Sequence, residues 1–219
     1  MGLQYSSQEY IRPIMNGNSY QNYEDVQKID GDYIDSWFPE DNDGYIHKID
    51  DYFEYTVDGT GFANRDEGLN YDSSHPLLKE THRWGKEKRS HREDDEWQHL
   101  FDFAVAMNTS SANGAVYEAA IESVIHPYHF AAVQAIRHAV GDWDSYGYSR
   151  GKNNYFYYAP VEDRWYLVPW DIDFTLGSGN GTNTSLYSGG GQFPEVSRFL
   201  NYSKYSNLYL QAVGALVYG

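Results

Sequence analysis

The sequence predicts an α+β fold, in which strands come first, helices follow, and one further hairpin lies among the helices. Three observations support this prediction: a strong turn motif between two extended runs near the N-terminus, helical periodicity in the middle of the chain, and an aromatic-rich hairpin after it. The order differs from the βαβ alternation of a parallel sheet. With 219 residues, 41% of them apolar, the chain is long enough for one domain with its own core.

The first predicted element is a β-hairpin. Tyr10 to Met15 is a short extended run, Asn16-Gly17-Asn18 is a strong turn signal, and Tyr20 to Ile29 supplies the return strand. Residues 31–44 are polar and rich in turn-forming residues, which predicts a loop.

The segment before the first helix is harder to assign. Residues 45–57 alternate enough to predict one or two strands. Residues 60–92 are glycine-rich at first and densely charged later, with no steady period. They predict irregular structure with no more than one helical turn.

Helical patterns occupy most of the second half. Residues 94–107 have acidic residues at the start and an apolar face, as in an amphipathic helix. The other predicted helices are 115–124, 128–140 and a last one from about Glu195 or Ser197 to the end. Pro127 introduces the helix over 128–140, and Gly141 ends it.

A second predicted hairpin interrupts the helices. Residues 154–158 and 164–168 are short aromatic strands joined by APVED. The hairpin leads to the motif WDIDFTLG over residues 170–177. Two aspartates separated by one residue at the end of a strand indicate a site for chemistry.

Charge and composition exclude several classes of function. The chain has 16 Lys and Arg against 32 Asp and Glu, a formal charge of −16, which disfavours nucleic acid as a partner. It has no cysteine, which excludes disulfides and thiolate metal ligands. No run of 18 apolar residues occurs, so no membrane span is predicted.

The letters DIDFT fit the D-x-D-x-T nucleophile loop of the haloacid dehalogenase phosphatases, in which one carboxylate attacks phosphorus and the other acts as acid and base. That family places a lysine and a further acidic motif well downstream, whereas only Lys204 and Glu195 follow here. Pro169 also lacks the N–H that a central parallel strand would need. The phosphatase hypothesis therefore has weak support.

A second acidic motif precedes the hairpin, in GDWDSYGYSRGKNN over residues 141–154. An acidic turn, an Asn pair and then a hairpin with two more aspartates follow the order of kinase-like phosphoryl transfer. Such hard oxygen ligands suit Mg²⁺ or Mn²⁺. The alternative is that these aspartates only cap turns and helices.

At these residues the sequence resembles the CotH kinase family, the spore-coat-protein-H-like atypical protein kinases. The resemblance is nearly continuous over HFAAVQAIRHAVGDWDSYGYSRGKNNYFYYAPVEDRWYLVPWDIDFTLGSG and weaker elsewhere. It implies an atypical protein-kinase-like fold, with a partial N-lobe hairpin, a mostly helical C-lobe and a β-hairpin that carries the metal motif. It also suggests a bacterial secreted or cell-surface protein.

The resemblance implies a role for each site residue. Asp144 would orient or deprotonate the acceptor hydroxyl, with Asp142 as the substitute. The metal ligands would be Asn154, Asp171 and Asp173, whereas Lys152 and Asn153 would contact the nucleotide, Asn153 also being an alternative to Asn154. The cofactors implied are ATP and Mg²⁺ or Mn²⁺, and the partner is a protein substrate with Ser or Thr.

The chain also departs from the family pattern. The resemblance implies one domain over 1–219, with residual N-lobe strands and hinge in 1–58 and the C-lobe in 59–219. The expectation is an N-terminally incomplete member, because the upstream lysine of kinase-like folds has no candidate. Gln27 stands where many members carry Glu, with Glu24 and Asp25 shifted upstream. The alternative function is a non-catalytic cation-binding or structural module of a larger surface protein.

Overall fold

The structure is a computed structural model that describes residues 2–49, 52–55, 62–65, 86–109, 114–178, 185–186 and 193–218. Helices and strands are mixed along the chain, as the α+β prediction requires.

The N-terminal hairpin is confirmed. Strands β1 (Gln8–Ile11) and β4 (Tyr23–Val26) pair antiparallel, and β2 (Ile14–Met15) and β3 (Asn18–Ser19) pair at its tip. Asn16 and Gly17 have φ of 52° and 78°, the left-handed conformations that a tight hairpin turn requires.

Residues 31–44 do not form only a loop, and that prediction was wrong. Helix α1 (Gly31–Trp37) begins there, although its sequence is polar. Tyr33 and Ile34 on this short helix are buried in a cluster with Phe38 and Tyr157. Tertiary burial therefore decides the conformation against weak local propensity.

A four-stranded antiparallel sheet forms the centre of the fold, in the order β10-β9-β5-β8. Its strands are β5 (Tyr45–Ile49), β8 (Lys86–Lys88), β9 (Asn154–Ala159) and β10 (Arg164–Pro169). The β9–β10 hairpin was predicted and is confirmed.

The segment predicted as irregular contains strands. A second hairpin pairs β6 (Tyr52–Tyr55) with β7 (Phe62–Arg65), and β8 adds to the edge of the central sheet. The prediction for 60–92 was therefore wrong at β7 and β8, and the rest of that segment lies outside the described residues. Strand β8 is only three residues long, too short to show a period of two.

Within the described residues, five helices follow strand β8 along the chain: α2 (Gln98–Met107), α3 (Gly114–Val124), α4 (Pro127–Val140), α5 (Pro194–Asn201) and α6 (Ser203–Tyr218). These helices and the inner face of the central sheet together enclose the main core. The predicted single C-terminal helix is two helices. Tyr202 separates them with an extended ψ of 123°, while its ring contacts Tyr117 edge-on. Among the described residues, none of the helices is long and apolar enough to cross a membrane.

Gly44 precedes β5 at a close approach to β9. A Cβ atom there would lie 1.9 Å from the backbone oxygen of Tyr158 and 2.8 Å from the Tyr157 ring. Gly44→Ala is therefore expected to lower the free energy of unfolding by about 3 kcal/mol in urea denaturation. Gly31→Ala is the matched control, since a Cβ there meets nothing within 4 Å. Equal effects of the two substitutions would contradict this packing.

His99 on α2 is stacked against the rings of Tyr158 and Trp165. Burial lowers the pKa of His99 to about 4, although Glu96 opposes the shift. His99 therefore becomes protonated at a lower pH in the folded state than in the unfolded state. The stability that the neutral imidazole contributes is lost as pH falls from 6.5 towards 4.

Between pH 7.5 and 4.5, we expect the wild type to lose about 2 kcal/mol more stability than His99→Phe, which keeps a ring but does not titrate. Urea denaturation at the two pH values measures the difference. Identical losses in the two proteins would show that His99 does not contribute to acid sensitivity.

Candidate functional site

The C-terminal end of helix α4 places the first acidic motif. Gly141 has φ of 72°, and its amide donates to the carbonyl of His138. The Asp142 amide donates to the carbonyl of Arg137 at 2.9 Å. These two bonds close the helix in the manner of a Schellman motif and turn the chain back over the helix end. The predicted stop at Gly141 is confirmed.

Lys152 and Asn153 both contact Asp144 within this turn. Its side chain is nearly buried, and Lys152 Nζ lies 3.1 Å from its Oδ2. The Asn153 Nδ2 donates to the Asp144 carbonyl at 2.7 Å and to its Oδ2 at 3.3 Å. The structure thus brings three of the predicted site residues together.

Asp142 has a different environment from Asp144. Its Oδ2 lies 2.9 Å from Arg137 Nη1, and both side chains are fully buried. Burial raises the pKa of Asp142 to about 6 against the attraction of Arg137, and lowers that of Arg137 to about 10. Asp144 is also buried and paired, but its partner Lys152 is partly exposed, whereas both members of the Asp142–Arg137 pair are fully enclosed. This difference favours Asp144 over Asp142 as the carboxylate that could meet a substrate hydroxyl.

Asn154 begins strand β9 directly opposite Pro169 of β10. Its Nδ2 donates to the Lys152 carbonyl at 3.0 Å. Within the described part of the chain, its buried Oδ1 has no hydrogen-bond partner. A buried amide oxygen without a partner is costly unless something binds it, and a cation is one such ligand.

Asp171 and Asp173 lie two and four residues beyond Pro169, on an exposed loop. Partial desolvation raises the pKa of Asp171, and the nearby charges of Asp173 and Asp144 raise it further. Lys152 and Lys48 lower it. The charges of the two acidic motifs therefore affect each other's protonation.

The two acidic loops pack directly against each other. The rings of Trp143 and Phe174 lie 5.7 Å apart, and Trp143 Nε1 donates to the carbonyl of Ser178 at 3.1 Å. The Leu176 amide donates to the carbonyl of Val140 at 2.7 Å, which ties the second loop to the end of helix α4.

A cavity of about 280 Å³ opens between the N-terminal hairpin and the WDIDF loop. On the hairpin side it is lined by Ser6, Gln8 and Glu24, and on the loop side by Asp171 and Asp173 among others. The cavity thus exposes the second acidic motif to solvent.

Comparison with known families identifies the family to which this chain belongs. The family model described as CotH kinase protein matches residues 1–213, nearly the whole chain. The chain belongs to the CotH kinase family. A comparison with curated proteins finds no match. Membership of the CotH family supports a kinase-like function and the general use of ATP and a divalent metal ion.

The donor set fits the divalent metal that the CotH family uses. In the described ranges, no three His, Cys, Asp or Glu side chains form a metal-binding group. The donors available are carboxylates of Asp171 and Asp173 and the orphan Oδ1 of Asn154, all hard oxygens of the kind that Mg²⁺ and Mn²⁺ prefer. Mg²⁺ sites often combine one or two carboxylates with waters and substrate phosphates.

The sequence analysis missed two positively charged side chains near the candidate site. Lys48, on β5, carries a charge that acts on Asp171, although no upstream lysine had been recognised. Arg137, buried on α4, contacts both acidic motifs. No local sequence pattern marks Lys48. Arg137 could have been recognised, because a charged residue on the inward-facing side of a helix indicates a buried charge.

The phosphatase hypothesis does not suit the CotH family fold. The D-x-D-x-T loop of those enzymes follows a strand of a parallel sheet, whereas β10 here pairs antiparallel with β9 at the sheet's edge. Pro169 ends β10 and is tolerated there because an edge strand has fewer N–H groups to pair.

Proposed function

We propose that this CotH family domain transfers the γ-phosphoryl group of ATP to the hydroxyl group of a protein Ser or Thr. The observation that carries the proposal is the packing of two acidic loops against each other beside an open cavity. Asp144 lies on the first loop, and Asp171 and Asp173 lie on the second, beside the cavity. Lys152 forms an ion pair with Asp144, and its charge also acts on Asp171. We assign the first loop to the acceptor hydroxyl and the second to the nucleotide, the two reactants that phosphoryl transfer must bring together.

On the acceptor side, Asp144 would accept the proton of the substrate hydroxyl. The hydroxyl oxygen bonds to the γ-phosphorus, the bond from that phosphorus to the bridging oxygen of ADP breaks, and the proton passes to the Asp144 carboxylate. Lys152 and Asn153 hold this carboxylate in place. The protein forms no covalent bond to the substrate in this step, so positioning of the reactants and electrostatic stabilisation would supply most of the rate enhancement.

On the nucleotide side, Asn154, Asp171 and Asp173 would hold Mg²⁺ or Mn²⁺. A divalent ion held by these residues would supply positive charge that stabilises the negative charge formed during transfer. Lys48 and Lys152 add positive charge near Asp171, where the phosphates would lie. The cavity beside Asp171 would take the rest of the nucleotide.

We further propose that residues 1–219 form one kinase-like domain, with 1–58 as N-lobe strands and hinge and 59–219 as C-lobe. Strand β5 of the first part pairs with β9 of the second. This shared sheet supports a single domain.

The experiment that tests the proposal is calorimetric titration of the domain with ATP in Mn²⁺, in Mg²⁺ and in a chelator. With a net charge of −16, the domain is expected to bind ATP only when a divalent ion is present. Transfer of labelled γ-phosphate to a degenerate Ser/Thr peptide library would then establish catalysis. Cation binding without any nucleotide binding would instead identify a non-catalytic module and overturn the proposal.

A further inference from the structure

Arg137 contacts three separate segments of the proposed site from a fully buried position on helix α4. Its Nη1 forms the ion pair with Asp142 at 2.9 Å. Its Nη2 donates to the carbonyl of Asn153 at 2.5 Å and to the carbonyl of Trp170 at 3.1 Å. One guanidinium therefore joins the acidic turn, the Asn pair and the WDIDF loop.

The two carbonyls belong to the peptide units that precede the proposed metal ligands. The Asn153 carbonyl leads into Asn154, and the Trp170 carbonyl leads into Asp171. Asn153 and Asp171 have φ of 59° and 54°, a left-handed conformation that is uncommon for non-glycine residues, although Asn and Asp adopt it more often than the others. Besides Arg137, the Trp170 amide also bonds to the Asn153 carbonyl, at 3.1 Å.

A guanidinium suits this task because its donors form a rigid planar fork that reaches several acceptors together. A lysine in the same place would offer a single ammonium group at the end of a flexible chain. The charge of Arg137 also acts on Asp171, beyond its contact with Asp142. Burying such a charge is unfavourable unless its partners are well placed.

We infer that Arg137 is a positioning residue: it fixes the peptide units that carry Asn154 and Asp171 against the acidic turn that carries Asp144. The inference rests on the proposed function for what the positioning serves. The geometry also assigns Asp142 a role, as the counter-charge that offsets the cost of burying Arg137.

Removing Arg137 alone would leave Asp142 as an unpaired buried charge, so the test uses the neutral pair Arg137→Gln with Asp142→Asn. Arg137→Lys is a second variant that keeps the ion pair but not the fork. Ile121→Ala is the matched control, because it opens a cavity in the core on helix α3 and destabilises the fold without touching the site. Urea denaturation measures the global stability of each protein.

Hydrogen exchange without ligand is the decisive measurement. In both Arg137 variants, we expect amides of residues 142–154 and 168–176 to exchange at least about tenfold faster than in Ile121→Ala, relative to the rest of each protein. A purely structural role would raise exchange evenly over the whole chain. Exchange in these loops that matches the control would overturn the inference.

The affinity for ATP with Mn²⁺ is the second readout. We expect it to fall at least about tenfold in both Arg137 variants and to stay within about twofold in Ile121→Ala. Loose loops with unchanged affinity would overturn the assigned purpose. If the wild type binds no ATP, the proposed function fails, while the exchange data still decide whether Arg137 fixes the two loops.

Discussion

Asp171→Ala is expected to abolish metal-dependent binding of ATP, with a dissociation constant at least about 100-fold above that of the wild type. Asp171 lies on the exposed loop beside the cavity, and its pKa is raised by burial and by the neighbouring charges of Asp173 and Asp144. Like charges held together are unfavourable until a cation joins them. Under the proposed function, removing Asp171 would remove both a metal ligand and part of the charge repulsion that a bound cation would relieve.

Calorimetry of Asp171→Ala with ATP and Mn²⁺ checks this result, with Asp102→Ala as the matched control. Asp102 is an exposed carboxylate on helix α2 that accepts a hydrogen bond from Gln98 Nε2 at 2.8 Å. The control removes the same charge from the protein but leaves the cavity intact. Binding by Asp171→Ala within about threefold of the wild type would rule out this aspartate as the ligand.

Local sequence signals predicted the elements whose cause is local. The Asn16-Gly17 turn sets its hairpin because both residues accept positive φ, and Gly141 ends helix α4 for the same reason. Helix α1 was missed because its stability comes from burying Tyr33 and Ile34 against strands distant in sequence. Strand β8 was missed because its pairing partner β5 specifies it, through His47 opposite Lys88.

In the proposed site, too, some features follow from local sequence and others depend on tertiary contacts. The acidic residues were recognisable by their order, but their proximity depends on the register that sets Asn154 opposite Pro169. The sequence ranked Asp144 above Asp142 only through the family resemblance, and the physical difference between them is that Asp142 is paired with a buried arginine and Asp144 with Lys152. Those pairings depend on how the turn folds back over helix α4.

Asp144→Asn is expected to lower kcat for phosphoryl transfer by about 10³, while the dissociation constant for ATP with Mn²⁺ changes by less than about threefold. The amide keeps the shape of the side chain but cannot take the proton of the acceptor hydroxyl. In the proposed function, Asp144 serves the acceptor hydroxyl and is not a metal ligand, so nucleotide binding should persist. Transfer of labelled phosphate to the peptide library and calorimetry measure the two effects separately.

Asp142→Asn is the informative comparison, because it makes the same chemical change two residues away. It leaves Arg137 buried without its counter-charge, so it should lower the free energy of unfolding by about 3 kcal/mol. Its kcat per folded molecule should fall far less than that of Asp144→Asn, since the Arg137 bonds to the carbonyls of Asn153 and Trp170 do not involve Asp142. If instead Asp142→Asn abolishes transfer and Asp144→Asn does not, the buried carboxylate is the base and the ion pair must open during turnover.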